Sequence, residues 1–79
     1  MDTDNLIRMA NRIGDFFDAM PDPQEARAGV ANHLQKFWDP RMRREIVAHV
    51  DHGDGAGLSA LVREAIASNR EKLIAVQSR

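Results

Sequence analysis

The stretch PDPQEARAGVANHLQKFWDPRMRREIV, residues 21–47, contains two Asp-Pro steps that decide the fold. At each step an aspartate stands where a helix N-cap is preferred. A proline then follows at the first helical position, where its missing N–H is not needed. Asp22 and Pro23 therefore predict the start of one helix. Asp39 and Pro40 predict that this helix ends just before them and that another begins at once.

Apolar residues on both sides of this stretch recur every three or four positions, which is typical of helices that pack by one face. We predict helices over residues 4–19, 23–38 and 40–52, and a fourth that begins after the N-cap Ser59. The glycine-rich residues 53–57 are expected to act as a hinge. Because no segment shows the alternation of a strand, the predicted fold class is all-α, a small bundle of about four helices with short connections.

Each predicted helix has an apolar stripe that should form the core. The expected inward residues are Leu6, Met9, Ala10, Ile13, Phe16, Phe17 and Met20 in the first helix, Ala26, Val30, Leu34 and Phe37 in the second, Met42, Ile46, Val47 and Val50 in the third, and Leu61, Val62, Ala65 and Ile66 in the fourth. The pattern resumes beyond Asn69 with Leu73 and Val76. Residues 69–79 are expected either to continue the helix or to form a tail that orders on a partner.

Composition narrows the function further. The 79 residues form one domain near the size at which a single core supplies only a few kcal/mol, so a partner protein is a natural source of stability. Cysteine is absent, which suits a reducing compartment. Eleven basic and twelve acidic residues argue against an affinity built on nucleic-acid phosphates. The short apolar runs and acidic N-terminus predict a cytoplasmic protein without a spanning helix.

A cluster of cations marks the start of the third predicted helix, where Arg41, Arg43 and Arg44 follow Trp38 closely. Cations are disfavoured there because the helix dipole presents positive charge. Three interpretations stay open: a solvated basic face, a docking surface for an acidic protein with Trp38 as anchor, or the recognition helix of a helix-turn-helix DNA binder. Trp38 can also be a packing residue at the helix junction, and Arg43 should lay its stem against the core or a partner. Phe37 is expected to stay in the core.

A second candidate strip lies on the first helix. Gly14 costs a helix interior about 1 kcal/mol relative to alanine, and Ile7 projects beside it. Either the backbone of another protein approaches this strip, or a helix crossing within the domain explains the glycine. An uncovered strip of this kind would also let the isolated chain self-associate.

Catalytic and metal motifs are weak. His49 and His52 are three apart, but no HExxH motif is present, and an EF-hand fails because Gly53 and Val62 occupy ligand positions. Histidines that complement the dipole of a helix C-terminus are the favoured interpretation over a metal site or a metal-dependent enzyme. The glycine-rich segment lacks the GK[ST] ending of a phosphate-binding loop. The sequence therefore predicts no catalytic residue, no metal and no cofactor.

Three segments together resemble one family: LIRMANRIGDFFDAM at 6–20, GVANHLQKFWDPRMRREIVAHV at 29–50 and GAGLSALVREAIA at 55–67. The order and spacing of MAN before IGDFF, of HL before KFW, and of PRMR after it are similar to the small delta subunit of cytoplasmic, molybdenum-containing, NAD-dependent formate dehydrogenases. The resemblance covers most of the chain.

This resemblance implies a non-catalytic subunit of a complex that oxidises formate to carbon dioxide and passes the electrons to NAD. In that family the molybdopterin, the iron–sulfur clusters and the flavin belong to the larger subunits, and the small subunit supports assembly, stability or cofactor insertion. The implied partners are those larger subunits, with no nucleic acid and no membrane. A transient assembly chaperone and the helix-turn-helix module remain the alternatives. The candidate docking residues are Trp38, Arg41, Arg43, Arg44, Ile7 and Gly14.

Overall fold

A computed structural model of the chain describes residues 2–75, and it confirms the all-α fold class for them. The helices are α1 (Thr3–Phe17), α2 (Pro23–Phe37), α3 (Pro40–Gly53), α4 (Ala60–Ser68) and α5 (Arg70–Ile74). Within these residues there are five helices rather than about four, because Asn69 interrupts the last predicted one. None of the five is both long and apolar enough to cross a membrane.

Side-chain caps start the first four helices, as the sequence predicted for three of them. Asp2, Asp22, Asp39 and Ser59 each accept a hydrogen bond from a backbone N–H in the first turn that follows. The two Asp-Pro steps therefore begin α2 and α3 by the same device. Since α2 ends at Phe37, only Trp38 and Asp39 connect it to α3.

The core lies where α2 and α3 pack against α1, α4 and α5. Its fully buried large side chains come from every helix: Leu6, Val30, Leu34, Ile46, Val62, Ile66 and Leu73. Asn69 closes α4 by donating its amide to the Ala65 carbonyl at 2.9 Å, and the chain then turns into α5. Residues 70–74 thus continue helically after a break, with Leu73 in the core, while Val76 lies outside the described residues.

The glycine-rich loop between α3 and α4 is anchored to α1 at its C-terminal end. The Asn11 side chain donates to the Gly57 carbonyl and accepts from the Ser59 N–H, both at 2.9 Å. Asp54 and Gly57 adopt positive φ angles, and Leu58 between the anchors is buried. Both bonds come from one side chain of α1 and hold the end of the loop next to α4, so the hinge interpretation stays a prediction.

Three residues predicted to be inward are exposed instead: Phe16 at 75 %, Phe37 at 67 % and Met20 at 37 %. For Phe16 the predicted stripe was too wide. The buried line of α1 runs through Leu6, Ala10 and Gly14, and Phe16 projects about 120° from its centre at about 100° per residue. Met20 lies beyond the end of the helix, where the wheel no longer applies.

Phe37 was predicted to be a core residue, and this was wrong. If α2 continued, Phe37 and Trp38 would lie roughly 40° and 60° on opposite sides of the centre of its buried stripe, so the wheel does not choose between them. Tertiary packing makes the choice, because Trp38 belongs to the buried cluster that includes Ile46 of α3 and Leu73 of α5. Phe37 is left against His33.

Candidate protein-docking surface

The cationic corner, defined as Trp38, Arg41, Arg43 and Arg44, is divided between core and surface. Arg41 and Arg44 are exposed. Trp38 and Arg43 keep only 5 % and 6 % of their surface accessible. The structure therefore brings the four residues together along the chain but presents only two of them to a partner.

Arg43 is held by backbone carbonyls. Its Nε donates to the Leu73 carbonyl at 2.9 Å, and one terminal nitrogen donates to the carbonyls of Gln35 and Trp38 at 2.8 and 2.7 Å. These acceptors lie at the C-terminal ends of α5 and α2, where helix carbonyls lack partners and the dipole presents negative charge. Arg43 thus joins α2, α3 and α5 from within the chain.

Trp38 is the C-cap of α2, with an extended backbone at φ −90° and ψ 141°. The turn in the chain directs its indole into the core, beside residues such as Leu34 and Ile46. Of the two interpretations of Trp38, packing at the helix junction describes its position. Contact with a partner through Trp38 or Arg43 stays a prediction.

The strip formed by Gly14 and Ile7 faces other parts of the same chain. Gly14 is buried, and an added Cβ would collide with the side chain of Val62 in α4. Ile7 is half-buried and faces Gly57 of the anchored loop. A helix crossing within the domain therefore accounts for the glycine.

A different surface carries the exposed aromatic side chains. We call Phe16, Phe17, His33 and Phe37 the aromatic face. Phe16 and Phe17 meet edge to face with ring centroids 5.1 Å apart. His33 links Phe17, at 6.4 Å, to Phe37, at 4.7 Å. The four rings form a continuous line across α1 and α2, in the geometries that aromatic pairs prefer.

Gly29 lets the Phe17 ring of this face pack directly against α2. A Cβ at Gly29 would lie 2.5 Å from the Phe17 ring, so only glycine lets the ring rest directly on α2. A glycine inside a helix costs about 1 kcal/mol relative to alanine. That cost is offset by the close approach of Phe17, which fixes the ring while Phe16 beside it points outward.

Beside the face lies an open groove of about 320 Å³ lined by Arg12, Ile13, Phe16, Phe17 and His33. Its walls are almost entirely apolar carbon and aromatic rings. A groove of this size and lining suits an apolar side chain or a short apolar segment.

Two cationic side chains lie beside the aromatic face. Arg12 lines the groove, and the Lys36 ammonium lies 6.0 Å from the centroid of the Phe37 ring. In residues 2–75 the ion pairs are Arg27–Glu64 and Arg70–Asp51, so Arg12 and Lys36 pair with no carboxylate in that part of the chain.

Two carboxylates near the end of α1 lie beside another cavity. Asp15 and Asp18 line it with Ser59 and Leu61, between α1 and α4. Neither carboxylate lines the groove beside the aromatic face, where the charged lining residue is Arg12.

Sequence reasoning missed the aromatic face, yet one signal for it was present. Phe16 and Phe17 are adjacent, and adjacent residues of a helix point about 100° apart. Both rings cannot enter one narrow stripe, so one of the pair had to leave the core. The doublet FF in a helix this amphipathic thus indicates a surface aromatic.

The histidines considered for metal binding have other roles or none. His49 Nε2 lies 2.7 Å from the Ala56 carbonyl, which ties the end of α3 to the following loop. His52 lies in the last turn of α3, where it complements the helix dipole. Across residues 2–75 no three His, Cys, Asp or Glu side chains are grouped in a way that could hold a metal ion.

Comparison with known families decides the identity. The family model described as the NADH-dependent formate dehydrogenase delta subunit FdsD matches residues 5–66. The chain belongs to the FdsD family. No curated protein matches the chain, and no solved structure does.

The FdsD match contains both the aromatic face and the cationic corner, and it ends within α4. Leu73, which supplies one carbonyl to Arg43, lies beyond the matched residues. Membership in FdsD makes the chain a formate dehydrogenase delta subunit, which implies a complex with other subunits of that enzyme.

Proposed function

We propose that this FdsD chain is a non-catalytic subunit that docks on the catalytic subunits of a cytoplasmic formate dehydrogenase and supports their assembly, stability or cofactor insertion. The observation that carries the proposal is the aromatic face, where Phe16 and Phe37 are exposed at 75 % and 67 % on either side of two further rings. Large aromatic side chains exposed to water contribute little to the stability of a small monomer. In a subunit the same side chains provide an apolar surface that a partner can cover.

The energetics of burial support docking at this face. Covering one phenylalanine side chain contributes about 1.5–3 kcal/mol, and aromatic residues are over-represented among those that dominate protein interfaces. Two phenylalanines together can therefore supply much of the affinity of a stable subunit contact. Phe17, already fixed on Gly29, loses little further freedom when a partner covers it.

We propose that the exposed arginines of the cationic corner also contribute to binding of the large subunits. Arg41 lies four residues after Phe37, in the first turn of α3, and Arg44 lies one turn further. Both would form charge-assisted hydrogen bonds to carboxylates of the large subunits. Trp38 and Arg43 contribute by fixing the α2–α3 junction that positions these two side chains.

Co-purification tests this function. The large subunits are tagged and co-expressed with the wild-type chain, with the double variant Phe16→Ser/Phe37→Ser, or with the control Ala67→Ser on the exposed side of α4. We expect the double variant to be lost from the purified complex and the control to be retained. The isolated double variant should melt within a few degrees of the wild type, because both phenylalanines are exposed.

The amount retained also separates a subunit from a transient assembly chaperone. A fixed ratio of this chain to the large subunits in active, purified enzyme supports the subunit. Active enzyme that contains none of the chain supports the chaperone. Undiminished retention of Phe16→Ser/Phe37→Ser would contradict docking through the aromatic face.

A further inference from the structure

We infer that the occupant of the aromatic face is a short apolar helix of a larger formate dehydrogenase subunit, with carboxylates that meet Arg12 and Lys36. This inference rests on the proposed docking function and adds the chemistry of the partner segment. The shape of the face, the cations beside it and the residues that hold it rigid support this partner.

The shape of the face favours a helix. Gly29, His33 and Phe37 stand at i, i+4 and i+8 on α2, so the line they form is about 12 Å long at 1.5 Å per residue. About two turns of a bound helix span that length, and the groove between α1 and α2 takes its apolar side chains. A peptide that binds by adding a β-strand would need a strand edge to pair with, and residues 2–75 contain no strand.

The charge of the face favours an acidic partner. Arg12 lines the groove and Lys36 stands by the Phe37 ring, one on each helix of the face. Neither has a carboxylate partner within residues 2–75, so both keep their hydrogen-bonding capacity for another chain. Opposite charges beside an apolar contact fix the orientation of a partner and raise its association rate.

The same charges argue against a second copy of this chain. In a two-fold symmetric contact the same patch is used on both copies. Arg12 and Lys36 of one copy would then come close to the same two cations of the other, which is unfavourable as the apolar surfaces meet. Self-association of the isolated chain, which the sequence left open, is therefore not expected at this face, and the sedimentation experiment below tests for it.

Phe17 makes the face suited to one helix in one orientation rather than to any apolar surface. Its ring rests on Gly29 and contacts both Phe16 and His33, so its position is set before a partner arrives. Preorganised aromatic rings lose little freedom on binding and impose one geometry on the segment that covers them.

Charge reversal tests the acidic character of the partner. The tagged large subunits are co-expressed with Arg12→Glu/Lys36→Glu, with each of its two single variants, and with Arg63→Glu, an exposed cation beside Asp54 and Glu64, as the control for one charge reversal. We expect the double reversal to lower the affinity for the large subunits about tenfold or more and the control to change it less than about twofold. Raising the salt concentration should weaken wild-type binding more than binding of the reversed variant.

Crosslinking in the complex identifies the covering segment. A photoreactive phenylalanine analogue replaces Phe16, and the crosslinked peptide is found by mass spectrometry. We expect an apolar helical segment of a large subunit with Asp or Glu within one turn. A crosslink to a basic segment, to a strand or to a second copy of this chain would overturn the inference.

The outcomes distinguish this inference from the proposed function. If Phe16→Ser/Phe37→Ser is lost from the complex while Arg12→Glu/Lys36→Glu is retained normally, docking stands and the acidic helix is wrong. If both variants are retained normally, the chain docks through another surface, and both docking through the aromatic face and the acidic helix are wrong. A wild-type dimer in sedimentation that Phe16→Ser/Phe37→Ser abolishes would assign the face to a second copy and overturn the inference.

Discussion

The cationic corner and the aromatic face differ in how completely their side chains are satisfied. In the corner Trp38 is covered and the Arg43 guanidinium has carbonyl acceptors on two of its nitrogens. In the face Phe16 and Phe37 are mostly in water, and the cations Arg12 and Lys36 pair with no carboxylate of residues 2–75. Trp38 and Arg43 are therefore satisfied within the chain, whereas the face leaves apolar rings and cations exposed.

This difference separates residues that fold the chain from residues that we propose to serve an interface. Tryptophan and arginine are over-represented in interfaces, yet here both are used for the core. The exposure of each side chain, rather than its type, tells the two uses apart. Substitutions of Trp38 and Arg43 should therefore act on stability, and substitutions in the face on assembly.

The largest effect is expected for Trp38→Ala in the isolated chain. Removal of a buried tryptophan should lower the free energy of unfolding by about 3–5 kcal/mol, because transfer and cavity terms add. Phe37→Ala should cost less than about 0.5 kcal/mol, since that side chain is already exposed. Urea denaturation of both variants checks the contrast. Equal losses in the two variants would mean that the junction is not the buried region.

The second effect concerns Arg43→Met, which should cost about 2–4 kcal/mol because the carbonyls of Gln35, Trp38 and Leu73 lose a charged donor. Arg44→Met, one position along and exposed, should cost less than about 0.5 kcal/mol. Arg43→Lys should fall between them, since an ammonium lacks the planar fork that reaches several carbonyls. Thermal unfolding of the three isolated variants measures their order of stability. If Arg44→Met were the least stable of the three, Arg43 would not be the residue that holds the helix ends together.

A smaller effect is expected at Gly14. A methyl group there collides with Val62, so Gly14→Ala should destabilise by about 1–2 kcal/mol even though alanine favours the helix. The matched control is Gly53→Ala, where an added Cβ meets only ordinary contacts to His49. That control should be neutral or slightly stabilising. A stabilised Gly14→Ala variant would show that α1 and α4 do not meet as described.

The smallest effect is electrostatic. The hydrogen bond from Arg70, together with its charge, lowers the pKa of Asp51 below its usual value. A carboxyl with a lowered folded-state pKa stabilises the fold above its unfolded pKa of about 3.9, and this contribution is lost as the pH falls through the folded value. Wild type should therefore melt slightly above Asp51→Asn at pH 7, and the two melting temperatures should converge in acid. A gap that stays constant down to the lowest pH would rule out this pair as its source.

The local start signals of the helices could be predicted from the sequence because they depend on a few neighbouring residues. Asp22 and Asp39 cap α2 and α3 as expected, and so does Ser59 for α4. Capping is decided by a side chain and an N–H two or three positions away. Information of such short range is contained in any window of the sequence.

The surface could not be predicted as well because it depends on which helix covers which side. Phe37 and Trp38 lie on opposite sides of the same stripe, and only packing against residues distant in sequence decides that Trp38 is buried. The helical periodicity likewise placed Arg43 on the apolar side of α3. It could not identify the hydrogen-bond acceptors of Arg43, because one of them is a carbonyl 30 residues away in sequence. No periodicity reports a contact of that range.

The bond from Arg43 to Leu73 also bears on how the chain folds as it is made. Synthesis proceeds from the N-terminus, so the α2–α3 junction emerges well before its last acceptor exists. Until residue 73 has left the ribosome, the guanidinium beside Trp38 lacks one of its acceptors. The junction of the second and third helices is therefore expected to become rigid late, when the fifth helix arrives.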